Sequence, residues 1–164
     1  MRAPGKDRLV PLMAVAALVA VLCCAGFGRQ WWSAAEGDFG RRGAARDAAV
    51  RDGTHALTVL NTIDHRRAEP DVDEWLTVTT GQLQEDLKND RDLHIDRARQ
   101  GRTVATASVT QAALSDLDEP AGTARLLAVV RVELGGQPKR SALVADLVRA
   151  GDTWKVSAVQ AAGR

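Results

Sequence analysis

Few side chains in this sequence are placed to do chemistry. Asp146 is the one acid midway along a strand-like segment, and Val144 and Val148 share its face two residues away on either side. An acid buried there would have a raised pKa and could act as a general base; the plainer role is to pair with an arginine or sit at a sheet edge. His55, His65 and His94 lack the i, i+4 spacing of a helical zinc pair. His94-Ile95-Asp96, read as an extended segment, offers only two ligands, so neither a metal nor a cofactor is expected. No GxSxG, Walker loop or CxxC occurs. Trp75 and Trp154 each have two readings, as core packing or as the wall of a ligand cavity, and a tryptophan in a last strand buries on the order of 200 Å². Leu83, Leu87 and Asp146 would complete the lining of such a cavity. The charges from Glu85 to Asp92 make either a solvated helix end or a docking surface. None of these sets assembles a catalytic group, and no enzyme is expected.

Where these residues can work depends on the uncharged run from Leu9 to Phe27. Nineteen residues of helix reach roughly 28 Å, close to the hydrocarbon thickness of a bilayer. Arg2, Lys6 and Arg8 precede the run against the single acid Asp7, which holds the N-terminus in the cytoplasm and sends the rest out. Trp31 and Trp32 suit the outer membrane–water interface. The alternative is a secreted protein cleaved near Ala35, although a signal peptide's apolar region is usually shorter. The expected organisation is a cytoplasmic N-terminus over 1–8, a transmembrane helix over 9–27, a glycine-punctuated juxtamembrane linker over 28–41 and one extracytoplasmic domain over 42–164.

Residues 36–164 carry 18 Lys/Arg and 20 Asp/Glu, with both signs interspersed. That balance lacks the basic patch a phosphate backbone demands, so nucleic acid is not an expected partner. Both cysteines, Cys23 and Cys24, fall in the apolar run, so the domain must stand on core burial without a disulfide.

From about Arg42 the pattern turns helical. Ala45, Ala49, Ala56, Leu60 and Ile63 recur at helical spacing with one missed turn, and Arg46, Asp47, Arg51 and Asp52 cover the opposite face. This helix is predicted to run six turns and end at His65-Arg66-Arg67, which complements its dipole. Pro70 suits the first turn of a second helix with Asp71, Asp73 and Glu74 near its N-terminus and Trp75, Leu76 and Val78 on its apolar side. Thr79 or Thr80 would cap a third helix, in which Leu83 and Leu87 share a face, ending in Lys88 to Asp92. After Gly101 the period becomes two. Strands are predicted over 104–114, 124–134, 141–149 and 153–160, with turns at Asp116 to Pro120, Gly135 to Pro138 and Gly151-Asp152. In the clearest strand Leu126, Ala128, Val130, Val132 and Leu134 alternate with Leu127, Val129, Arg131 and Glu133. Helices followed by a meander of strands read as α+β, with helices packed on an antiparallel sheet.

Several segments together resemble the Mce-associated membrane proteins of actinobacteria. They are Ala44-Ala45-Arg46-Asp47-Ala48-Ala49-Val50, Leu60-Asn61-Thr62-Ile63-Asp64, Thr79-Thr80-Gly81 with Leu83, and Val148-Arg149-Ala150-Gly151-Asp152-Thr153-Trp154-Lys155-Val156. The resemblance implies a single-pass anchor carrying an NTF2-like (cystatin-like) domain with helices on a curved sheet. It implies a non-catalytic accessory or scaffold role in a cell-envelope complex for lipid import, with Mce-type transporter subunits as partners. The alternatives are an exported domain holding a small apolar ligand or lipid in its cavity, or an isomerase- or hydrolase-like enzyme. The ketosteroid isomerase constellation needs a tyrosine, and this chain has none.

Overall fold

The computed structural model describes residues 43–163. The expected anchor over 9–27, the linker, and Trp31 and Trp32 lie outside them. Among the described residues no helix is long and apolar enough to cross a membrane.

The helical pattern at the start of the domain forms α1 (43–60). Its buried stripe is Ala49, Gly53, Ala56 and Leu57, so Gly53 fills the missed turn in the apolar pattern. The turn is apolar-free because there is no room: a Cβ on Gly53 would lie 2.8 Å from Leu126 Cδ2 and 2.9 Å from Leu147 Cδ1. Asp52, expected on the solvent side, instead accepts the Trp154 backbone N–H at 3.1 Å. α1 also stops earlier than predicted. Ile63–Asp64 leave the helix to form a short strand, β1, antiparallel to Ala105 and Val104. The Thr62 hydroxyl, which donates to the Thr58 carbonyl, accepts the Ala107 N–H at 3.2 Å and ties the helix end to the sheet.

α2 (Ala68–Val78), with Pro70 in its first turn, buries Ala68, Asp71 and Val72. The Asp71 carboxylate accepts the Asp64 N–H at 2.8 Å and holds the turn before the helix. α3 (Gly81–Asn89) follows, but neither threonine before it caps it by side chain. Thr79, wholly buried, donates back to the Trp75 carbonyl at 2.8 Å, and the Thr80 N–H reaches the Val156 carbonyl at 2.9 Å. The joint between α2 and α3 is therefore sewn to the edge of the sheet. A helix absent from the sequence-based expectation, α4 (Arg91–Gln100), begins where a charged tail was expected. It buries only Ile95 and Ala98 and leaves Leu93 exposed, so it shows no apolar stripe. His94 and Asp96 thus lie on a helix, not an extended segment. Arg91 reaches Asp73 with two bonds of 2.7 and 2.9 Å, and Arg99 reaches Glu69 at 2.9 Å, linking α4 to α2.

The meander follows as β2 (Val104–Asp118), β3 (Thr123–Leu134), β4 (Gln137–Ala150) and β5 (Thr153–Ala161). All neighbours are antiparallel, in the order β1-β2-β3-β4-β5. β2 runs through Asp116-Leu117-Asp118, where a turn was expected, because the sheet keeps Asp116 in register with Arg125. The turn is confined to 119–122. Gly135 and Gly136, with φ of 57° and 81°, make a two-residue hairpin, and Gln137 and Pro138 already belong to β4. Pro138 is tolerated because β5 pairs only as far as Leu143, so this end of β4 is an edge. The result is an α+β domain: a five-stranded antiparallel sheet with four helices among the described residues.

The main core lies between α1 and one face of the sheet, where Leu57, Leu126, Val130, Leu147 and Val156 are fully buried and Trp154 nearly so. A second cluster joins Ala68, Val72, Ile95 and Ala98, with Ile63 and Trp75 at its rim.

Between the two clusters, the turn after β1 carries a charge pair with a pH signature. The Arg66 guanidinium and backbone N–H bonded to Asp64 hold its carboxyl down at about 2, against an ordinary 3.8. A depressed carboxyl stabilises the fold above the ordinary value, and that contribution is lost as pH falls from about 4 toward 2. Urea midpoints measured across this window should fall less steeply for Asp64→Asn than for the parent; equal slopes would contradict the pairing.

Candidate interaction surface

An antiparallel sheet with one solvated face ordinarily alternates apolar-in with polar-out. β3 obeys this at its ends and breaks it in the middle. Ala124, Leu126, Ala128 and Val130 face the helices, whereas Leu127, 44% exposed, and half-buried Val129 face away. Strand register extends the apolar patch sideways. Ala113, Leu127 and Val144 form one row across β2, β3 and β4, and Val129 and Ala142, with the polar Gln111 at their β2 end, form the next. None of these six packs on the main core. Register shifts at Thr110 and Ser115 bend β2 so that its outward residues keep step with β3.

Charged rows border the apolar ones. On one side lie Asp116, Arg125 and Asp146; on the other lie Ser108, Arg131 and Arg140. Arg125 Nε donates to Asp146 Oδ1 at 2.7 Å, and that bond pushes the guanidinium pKa above its ordinary value. Arg131 contacts Glu133 through Nη2 at 3.2 Å, while its Nε has no hydrogen-bond partner among the described residues. The apolar rows hold a shallow depression of about 250 Å³, whose lining includes Ala113, Leu127, Val129 and Ala142. A second of about 250 Å³ surrounds Arg125 and Asp146. Such a surface can bury apolar area against a partner and orient it by charge.

The structure does not bring the expected cavity-lining residues together. Trp154, 4% exposed, is part of the main core, and half-buried Leu83 packs beside it. Leu87 is half-buried on α3, outside both core clusters. Trp75 belongs to the second cluster, edge-on to His94 with ring centroids 5.6 Å apart, and its Nε1 donates to the Thr62 carbonyl at 3.2 Å. Asp146 lies on the open face with Val144 and Val148, as its spacing predicts, and takes the arginine-paired role. Where α1 crosses the sheet at Gly53, Leu126 and Leu147 stand so close that no cavity opens at that point. Among the described residues no three His, Cys, Asp or Glu side chains converge as metal ligands. The apolar rows went unremarked in the sequence, yet their signal was there: both parities of 126–130 are apolar.

No family model matches this chain, and no curated protein matches it. Solved structures do share its fold. The periplasmic domain of DotI aligns with a TM-score of 0.56 at 10% identity, over 72% of this chain and 95% of that one. An IcmL-like type IV secretion system protein from Legionella pneumophila aligns with a TM-score of 0.55 at 13% identity, over 71% and 91%. CagV, a VirB8 homolog of the type IV secretion system of Helicobacter pylori, aligns at 0.52 and 10% identity, over 70% and 96%. At such identities the likeness is one of fold. These findings overturn the Mce-associated assignment, and with it the actinobacterial source, the lipid-import role and the Mce-type transporter partners. That assignment rested on small and apolar residues in segments that any amphipathic helix or alternating strand produces.

Proposed function

We propose that this protein is a membrane-anchored, non-catalytic scaffold subunit of a type IV secretion-type assembly, with an NTF2-like extracytoplasmic domain over 42–164. The observation that carries this reading is the fold shared with DotI and the IcmL-like protein across more than two-thirds of this chain. The uncharged run Leu9 to Phe27, with its basic leading flank, supports an anchor that leaves the N-terminus cytoplasmic. A sheet face carrying apolar rows between charged ones, and a tightly filled core on the other face, favour assembly over turnover. The mechanism is tethering: an anchored domain meets membrane-bound partners at a raised effective concentration.

Two measurements test the reading. Alkaline phosphatase fused after Arg164 should be active in intact cells, and deleting 9–27 should release the protein from membranes. Cross-linked pull-down of the full-length protein from its native membranes should recover secretion-apparatus subunits. An inactive fusion would overturn the topology, and recovery of only unrelated envelope proteins would overturn the assembly.

A further inference from the structure

We propose that α3 and α4 form a strap, Gly81 to Gln100, that detaches from α2 as a unit while α1, α2 and the sheet stay folded. The joints on either side of the strap are bonded to opposite edges of the sheet. Before it, the Thr80 N–H reaches the Val156 carbonyl of β5 at 2.9 Å; after it, the Thr103 carbonyl accepts the His65 N–H beside β1 at 2.8 Å. α2 is tied at its own start by the bond from the Asp64 N–H to the Asp71 carboxylate. Between these joints the fastenings are slight. α3 buries no residue fully; it keeps Leu83 beside the main core and one bond to α2, from Gln84 Nε2 to the Leu76 carbonyl at 2.7 Å. α4 buries Ile95 and Ala98 against Ala68 and Val72 of α2. The flanking pairs, Arg91 with Asp73 and Arg99 with Glu69, are solvent-exposed, where an ion pair holds weakly.

Neither helix can stand without this support. They are nine and ten residues long, no side-chain hydrogen bond caps either N-terminus, and helices so short are marginal in water. Gly81, at φ of 61°, starts the strap on a backbone conformation that glycine takes readily and other residues resist, and Gly101 follows its last residue. When the strap leaves, Ala68 and Val72 lose their cover, and an apolar stripe opens on α2 beside Trp75. No buried residue of the main core belongs to the strap, so that core stays intact and the opening is sub-global. Opening belongs to the domain alone and is independent of any secretion assembly.

Hydrogen exchange of the full chain in detergent micelles, read by mass spectrometry on short peptides, tests this directly. Corrected for intrinsic rates, the amides of 85–89 and 95–100 should exchange about a hundredfold faster than those of 126–130 and 144–148. Ile95→Val loosens the strap's own contact and should speed both of its helices alike, about fivefold. Val130→Ala, in the main core, should speed the sheet amides on the order of tenfold and leave the strap unmoved, because that core is intact whether the strap is closed or open. The parent and Ile95→Val decide the matter by themselves if Val130→Ala does not fold. Strap amides as slow as those of the sheet would overturn the proposal. So would an Ile95→Val effect confined to α4, or a strap that Val130→Ala speeds as much as the sheet.

Discussion

Trp154→Ala should destabilise the domain by about 3–5 kcal/mol, the range for truncating a large buried aromatic. For a domain of this size that lowers the melting temperature by roughly 15 °C. The indole is 4% exposed within the main core, and its strand start is fastened by the backbone N–H bond to Asp52. α1 cannot close into the void, because it is already held at contact distance from Leu126 and Leu147. Trp154→Phe keeps much of the buried area and should lose less than half as much. Circular dichroism melts of both variants decide it; a loss under about 1 kcal/mol for Trp154→Ala would mean that the ring is dispensable to the core.

Gly53→Val should cost about 3 kcal/mol, and it separates two opposing effects. In a free helix, replacing glycine by alanine gains about 1 kcal/mol. Here the first added carbon would already stand 2.8 and 2.9 Å from two leucines that are themselves buried to within 1% and have nowhere to turn. Overpacking of this kind costs about 1–3 kcal/mol, so Gly53→Ala should come out as a net loss near 1 kcal/mol. Gly53→Val adds two more methyls to the same gap. Leu126→Val makes room, so Gly53→Ala in that background should be less harmful than in the parent. Urea unfolding of the double-mutant cycle reads the coupling, and additivity within about 0.3 kcal/mol would show that helix and sheet do not touch at this point.

How far the sequence could be read follows from what each element depends on. The meander was legible because strand alternation is local: Leu126, Ala128 and Val130 sit on the helix face as their spacing predicts. β1 was not, since two residues, Ile63 and Asp64, carry no period and form a strand only because Ala105 and Val104 are there to pair with. α4 was hidden for a related reason. It packs on α2 through only two buried residues, Ile95 and Ala98, and the ion pairs Arg91 to Asp73 and Arg99 to Glu69 that flank them leave no apolar stripe to read. The missed turn in α1 was visible as a gap, but only the approach of Leu126 and Leu147 gives it a meaning. The family resemblance failed where it leaned on composition, because alanine-rich helices and valine-rich strands recur across unrelated chains.

The sequence by itself determined the order of elements, helices before an antiparallel meander, through periods of 3.6 and 2 that neighbouring residues impose on one another. It also determined that no disulfide can brace the domain and that Asp146 shares a face with Val144 and Val148. Only the tertiary structure decided which face that is. Strand register lines Asp146 up with Arg125, and on the opposite side α1 is drawn against Leu126 and Leu147 at Gly53. Those outcomes depend on residues tens of positions apart meeting in space, and a local period carries no record of such meetings.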